Sequence, residues 1–168
     1  IKDIVKGYYQ GNFQIKHIAA WRNKYVQKEI EAKSELFSNH WHCDNRSTEF
    51  LKLFVPLIDL TDDDGPFHIM SQQRTKLVMK MGYGTRDDYN LDDKVINDPN
   101  EIKKITGKAG MAYFGNPQLC LHRAGVPTYG HWRDMIDFVF APSSRPLPDN
   151  WFENFQPDDN YYKASNEK

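Results

Sequence analysis

Three side chains in this chain, His42, Asp44 and His122, are candidates for binding one transition-metal ion. His42-Cys43-Asp44 is an H-x-D pair. On an extended strand, residues two apart project from the same face. The imidazole and the carboxylate then reach one ion together, while Cys43 points away. Two imidazoles and one carboxylate on one face of an octahedron suit Fe(II), with the opposite face open for co-substrate and O2. One strand cannot supply all three ligands, so a distant histidine is required. The pair alone carries little weight: six His and sixteen Asp in 168 residues give roughly 0.6 such pairs by chance.

His122 is the best distant ligand. It ends the strand-like stretch Gln118-Leu119-Cys120-Leu121-His122, where Leu119 and Leu121 face one way and Cys120 and His122 the other. A histidine with an ordinary hydrogen-bond partner is the competing assignment. Arg133 follows, at the start of an alternating run. Its planar, permanently charged guanidinium can hold a carboxylate through two parallel hydrogen bonds. The plainer alternative is an ion pair with Asp134 or Asp137.

Other candidates are weaker. His40 would share a face with His42 and Asp44, as a strand-end residue or a neighbour of the site. Cys120 fits a small buried hydrophobe, and Trp41 and Trp132 fit core packing. A cysteine nucleophile paired with His131 or His122 lacks an orienting group and an oxyanion site. Asp62-Asp63-Asp64 lacks the spacing of a calcium loop and reads as a turn.

These side chains need a frame. The spacing of Ile18, Trp21 and Tyr25 predicts a helix over Phe13 to Glu35, with Asn12 as its N-cap. Strands are expected over Phe37 to Asp44, Glu49 to Leu60, Phe67 to Ser71, Lys76 to Met81, Gly110 to Phe114, Gln118 to His122 and Asp134 to Phe140. Pro56 argues for an edge or a bulge, and Thr61 to Pro66 is a strong turn. Gly82 to Lys104 reads as a polar loop. Trp151, Phe152 and Phe155 are expected to pack back on the body, with a fraying end beyond them. Many short strands without a βαβ rhythm point to a barrel or sandwich. The organisation is a single domain: a helical segment 1–35, a β core 36–143 and a tail 144–168. The chain opens on Ile1, which leaves a longer parent protein as an open expectation.

Composition narrows the partners. The net charge is −1 and charged residues make up 27%, with no basic block interleaved with aromatics, so nucleic acid is not expected. No apolar run is long enough to cross a bilayer. Two cysteines, Cys43 and Cys120, make no disulfide framework, and reduced thiols in a cytoplasmic compartment are the expectation.

The ordered motifs resemble the phytanoyl-CoA dioxygenase family of Fe(II)/2-oxoglutarate-dependent oxygenases. Trp41-His42-Cys43-Asp44 is similar to that family's metal strand, and Asp63-Asp64-Gly65-Pro66-Phe67-His68-Ile69 to its following turn and strand. Gly107 to Phe114 resembles the strand before the second iron histidine, and His122-Arg123-Ala124-Gly125 with Arg133 completes the pattern, over roughly Phe37 to Ser143. The resemblance implies a double-stranded β-helix, a jelly-roll barrel of the cupin type. It implies iron at His42, Asp44 and His122 and 2-oxoglutarate at Arg133. It further implies O2-dependent hydroxylation of a small molecule, with succinate and CO2 as co-products. The chain departs from the family at Ser71-Gln72-Gln73-Arg74 and at Ala124, where a Ser or Thr is frequent, and Phe54 aligns loosely with an aromatic near the co-substrate. The rival expectations are a cupin-type metal isomerase and a non-catalytic barrel that binds a ligand or partner.

Overall fold

The computed structural model describes residues 1–31, 35–83 and 100–156. Its longest-range organiser is β7 (Trp132–Pro142), the alternating run expected from sequence. Arg133, Met135, Asp137 and Val139 are buried on one of its faces. β1 (Phe13–Lys24) and β2 (Leu51–Pro56) flank it, both antiparallel, and β5 (Tyr113–Gly115) pairs with β2, giving the order β1-β7-β2-β5. A second sheet has the order β4-β3-β6, from β4 (Ile102–Ile105), β3 (Phe67–Met70) and β6 (His122–Ala124). His42 adds an antiparallel bridge to His122.

The inner faces of the two sheets meet through aromatics. Phe67 of β3 lies 5.1 Å from Phe54 of β2 and 6.0 Å from Tyr113 of β5, centroid to centroid. Antiparallel strands divided between two facing sheets in this order make a double-stranded β-helix, or jelly roll. Each outer face has its own helix. Val5 of α1 (Lys2–Tyr9) packs on Phe13, Leu51, Leu53 and Phe140. Val78 of α3 (Gln72–Lys80) packs on Trp41, Met70 and Leu121. Burying each such side chain stabilises the fold by about 1.5–3 kcal/mol. Thr75 of α3 ties helix to sheet: its Oγ1 accepts from the Leu121 amide at 2.9 Å.

The structure corrects several expectations. Phe13 to Lys24 is a strand rather than the expected helix, and among the described residues of the expected span only the short α2 (Lys28–Glu31) is helical. The reason is a β-bulge between Ile15 and His17. Before it, Phe13 packs under α1. After it, His17 and Asn23 are buried opposite Val139 and Arg133 on the inner face. A bulge shifts the alternation by one residue, and the polar inner positions break the apolar rhythm further. Lys76 to Met81 lies almost wholly in α3, whose N-cap Ser71 accepts from the Arg74 amide. Residues 117–120 form a turn, and only His122 of the expected strand lies in β6. Within Phe37 to Asp44 only His42 has strand pairing. Pro56 is the last residue of β2, which is an interior strand. The expected loop from Gly82 gives way to β4 at Ile102, and residues 84–99 of it lie outside the described residues, as does the tail from 157 onward. Trp132 is 43% exposed and Phe152 75%, so neither is core.

Candidate metal centre

The two sequence-predicted histidines are brought face to face by backbone pairing. The His42 amide donates to the His122 carbonyl and the His122 amide to the His42 carbonyl, each at 3.0 Å. Their rings lie 4.3 Å apart. Asp44 is off the strand, but its amide donates to the Pro117 carbonyl at 2.9 Å, which fixes it beside them. His42, Asp44 and His122 offer ligand atoms that all lie within 4.8 Å of one another. Nε2 of His42 is 3.4 Å and Nε2 of His122 3.5 Å from the same oxygen, Oδ1 of Asp44. Ligands at right angles on bonds of about 2.1 Å stand about 3 Å apart, so a small inward adjustment suffices.

The outer contacts set both rings for coordination. Nδ1 of His42 faces the His40 carbonyl at 2.7 Å, and Nδ1 of His122 faces the Cys120 carbonyl at 3.0 Å. A carbonyl only accepts, so Nδ1 carries the proton and Nε2 is left with a lone pair aimed at the triad. Burial lowers the pKa of His122 and keeps its ring neutral. For Asp44, burial pushes the pKa upward, but the histidine rings, whenever Nε2 bears a proton, and the Lys52 ammonium outweigh it and hold the carboxyl well below the usual range. Lys52 donates to Oδ2 of Asp44 at 2.7 Å, leaving Oδ1 for the metal. Such outer partners orient metal ligands and tune their basicity.

Arg133 lies inside the barrel at 3% exposure. It donates through Nη1 to the carbonyl of Gly65, while its Nε is buried with no partner. Gly65 is where this contact needs glycine: its φ is +65°, and an added Cβ would meet backbone of residues 125–127 at 2.5–2.7 Å. Burial lowers the Arg133 pKa to about 10, against a smaller upward pull from Tyr113. Neither expected acidic partner engages it. Asp134 pairs with Arg22 at 2.6 Å. Asp137 has Oδ1 without a partner. A buried cation with an unsatisfied N–H, in the same barrel as the triad, can take a carboxylate-bearing ligand.

The remaining candidates fall away. His131 binds Asp64 through Nδ1 at 2.9 Å and is structural. The His40 carbonyl meets Nδ1 of His42. Trp41 is core, at 6% exposure. Cys43 and Cys120 are both free. Sequence reasoning missed the inner lining: Lys52, Phe67, Tyr113 and Asp137. Phe67 stacks on the His122 ring at 5.2 Å. Lys52 had a legible sign, as a lone charge in Leu51-Lys52-Leu53.

Asp137 yields a measurable consequence. Burial raises its pKa from 3.8 to about 6, against the pull of Lys52. A carboxyl raised on folding favours the neutral form. Its contribution is fully present below the unfolded value near 4 and is lost as pH rises through 6. Above that, the buried charge costs about 3 kcal/mol. Asp137→Asn is therefore expected to melt about 6–12 °C above wild type at pH 8 without metal, the gap closing toward pH 4. Thermal melts at the two pH values check this; a constant gap would contradict it.

No family model matches the chain, and no curated protein matches it. Solved structures do match in fold. The non-haem alpha-ketoglutarate-dependent carbocyclase SnoK from nogalamycin biosynthesis aligns with TM-score 0.57 and 15% identity over 94% of this chain and 63% of its own. The alpha-ketoglutarate-dependent epimerase SnoN from the same biosynthesis aligns with TM-score 0.56 and 14% identity over 94% and 59%. HygX from Streptomyces hygroscopicus, with nickel, 2-oxoglutarate and hygromycin B bound, aligns with TM-score 0.55 and 13% identity over 86% and 62%. This chain thus spans about three fifths of each. The fold is the jelly roll that these enzymes share, and among the described residues it carries a His-Asp-His cluster able to hold a metal ion.

Proposed function

We propose that this chain is an Fe(II)/2-oxoglutarate-dependent oxygenase, of the phytanoyl-CoA dioxygenase-like kind, that hydroxylates a small molecule. One observation carries the reading. The ring Nε2 atoms of His42 and His122 and one carboxylate oxygen of Asp44 face one another, inside a barrel that also buries an uncompensated guanidinium. His42 Nε2, Asp44 Oδ1 and His122 Nε2 would hold the iron, and Arg133 the distal carboxylate of 2-oxoglutarate. When bound, the pair supplies O2 activation coupled to conversion of 2-oxoglutarate to succinate and CO2, with one oxygen atom going to substrate.

The chain's own residues do the rest. The carbonyls of His40 and Cys120 keep both rings in the ligating tautomer. Lys52 holds Asp44 by one oxygen. Phe54, Phe67 and Tyr113 form an apolar wall that excludes water next to His122. Arg133 argues against the isomerase reading, because that chemistry has no use for a buried carboxylate clamp. The test is succinate formation from 2-oxoglutarate with Fe(II) and O2, run without substrate and across small-molecule panels. Wild type is expected to turn over slowly without substrate, and His42→Ala and Arg133→Ala to show none. Absence of succinate from the iron-loaded wild type in every arm would sink the reading.

A further inference from the structure

We propose that the side-chain amide of Gln118 recognises the substrate beside the metal centre, a role that rests on the oxygenase reading above. The substrate class it selects carries a cis-amide edge, the adjacent N–H and C=O of a lactam or a nucleobase. Gln118 lies in the turn over residues 117–120, which belongs to neither sheet. Each end of that turn holds a metal ligand. The Pro117 carbonyl, one peptide bond before Gln118, accepts from the Asp44 amide at 2.9 Å. The Cys120 carbonyl, at the other end, faces Nδ1 of His122 at 3.0 Å. Between them the Leu119 amide closes the turn on the Asn116 carbonyl at 3.0 Å. Gln118 is thus tied to the backbone that places two of the three ligands.

The side chain is 7% exposed, and neither Nε2 nor Oε1 has a hydrogen-bond partner. Turning the amide over exchanges the two atoms and changes nothing, because both are unmet. A buried amide without partners is costly and rare. It lowers the stability of the ligand-free fold where an apolar side chain of equal length would not. A donor and an acceptor open on one amide are satisfied together by a group that presents an acceptor and a donor side by side. A lactam or nucleobase edge does so. A trans peptide places its N–H and C=O on opposite sides, and a ketone or a carboxylate offers acceptors alone. The contrast with Arg133 is one of chemistry: a guanidinium takes an anion, whereas this neutral group takes a neutral polar edge.

The test compares 2-pyrrolidinone with cyclopentanone, two rings of equal size that differ in having N–H or CH2 beside the carbonyl. Each is titrated into the full chain loaded with Mn(II) and 2-oxoglutarate. Broadening of the probe's proton resonances by Mn(II) reads both affinity and nearness to the metal. Wild type is expected to bind the lactam about five- to fiftyfold more tightly, the range for one buried hydrogen bond made rather than left unmet. Gln118→Met keeps the length and loses the amide. In it the preference is expected to vanish, and without ligand it is expected to melt above wild type. Equal broadening of both probes by wild type, or none, would overturn the proposal. So would a preference that survives in Gln118→Met, or a variant that melts below wild type, which would mark an amide that serves packing. A wild type that holds neither Mn(II) nor 2-oxoglutarate would instead overturn the oxygenase reading, and this proposal with it.

Discussion

A His122→Ala variant is expected to lose Fe(II) binding by more than the 10–100-fold that loss of an outer-shell partner typically costs, and to form no succinate. His122 supplies one of only three converging ligand atoms among the described residues, and its ring also organises the others. It lies 4.3 Å from the His42 ring and against Phe67 at 5.2 Å. The reciprocal backbone bonds between residues 42 and 122 involve no side chain, so the strands remain paired. The lost packing lowers stability by about 1–3 kcal/mol, or a few degrees in Tm. Circular dichroism separates a folded, metal-free variant from an unfolded one, and metal titration reads the affinity. Full metal affinity in the folded variant would refute the ligand assignment.

The second large effect has two signs in one variant. Arg133→Met is expected to weaken 2-oxoglutarate about 10²–10³-fold, since truncating one side of a buried charge pair typically costs 2–5 kcal/mol. The same change is expected to stabilise the ligand-free protein. Burial lowers the Arg133 pKa from 12.5 to about 10, which places the cost of holding the cation on the order of 3 kcal/mol. Losing the bond to the Gly65 carbonyl gives back about 1–2 kcal/mol. The net gain is about 1–2 kcal/mol, or roughly 2–8 °C in Tm. Adding 2-oxoglutarate with Mn(II) then raises the Tm of wild type but not of the variant. A guanidinium buried for structural reasons would show the opposite: the variant would melt lower, and co-substrate binding would be untouched.

The meeting of three side chains was more legible in the sequence than the frame that holds them. His42, Asp44 and His122 come together even where the local elements differ from expectation. By spacing, His42-Cys43-Asp44 is one regular strand. In the structure His42 forms a lone bridge and Asp44 is held by Pro117 instead. β7 is legible because its alternation is unbroken. β1 is not, because the bulge before His17 switches the buried parity and places polar side chains on the inner face. α3 is hidden because its amphipathic signal is short and its buried residues are only Thr75 and Val78. The inner lining is invisible for a further reason: Lys52, Tyr113 and Asp137 acquire meaning only once two sheets face each other.

A crystal of the full chain grown with Mn(II) in place of iron, read by anomalous scattering at the manganese edge, tests the central claim most directly. One peak is expected within about 2.0–2.2 Å of His42 Nε2, Asp44 Oδ1 and His122 Nε2, and it should vanish in His122→Ala. A metal-soaked wild-type crystal with no peak there, or with its peak on other side chains, would contradict the assignment of these three ligands.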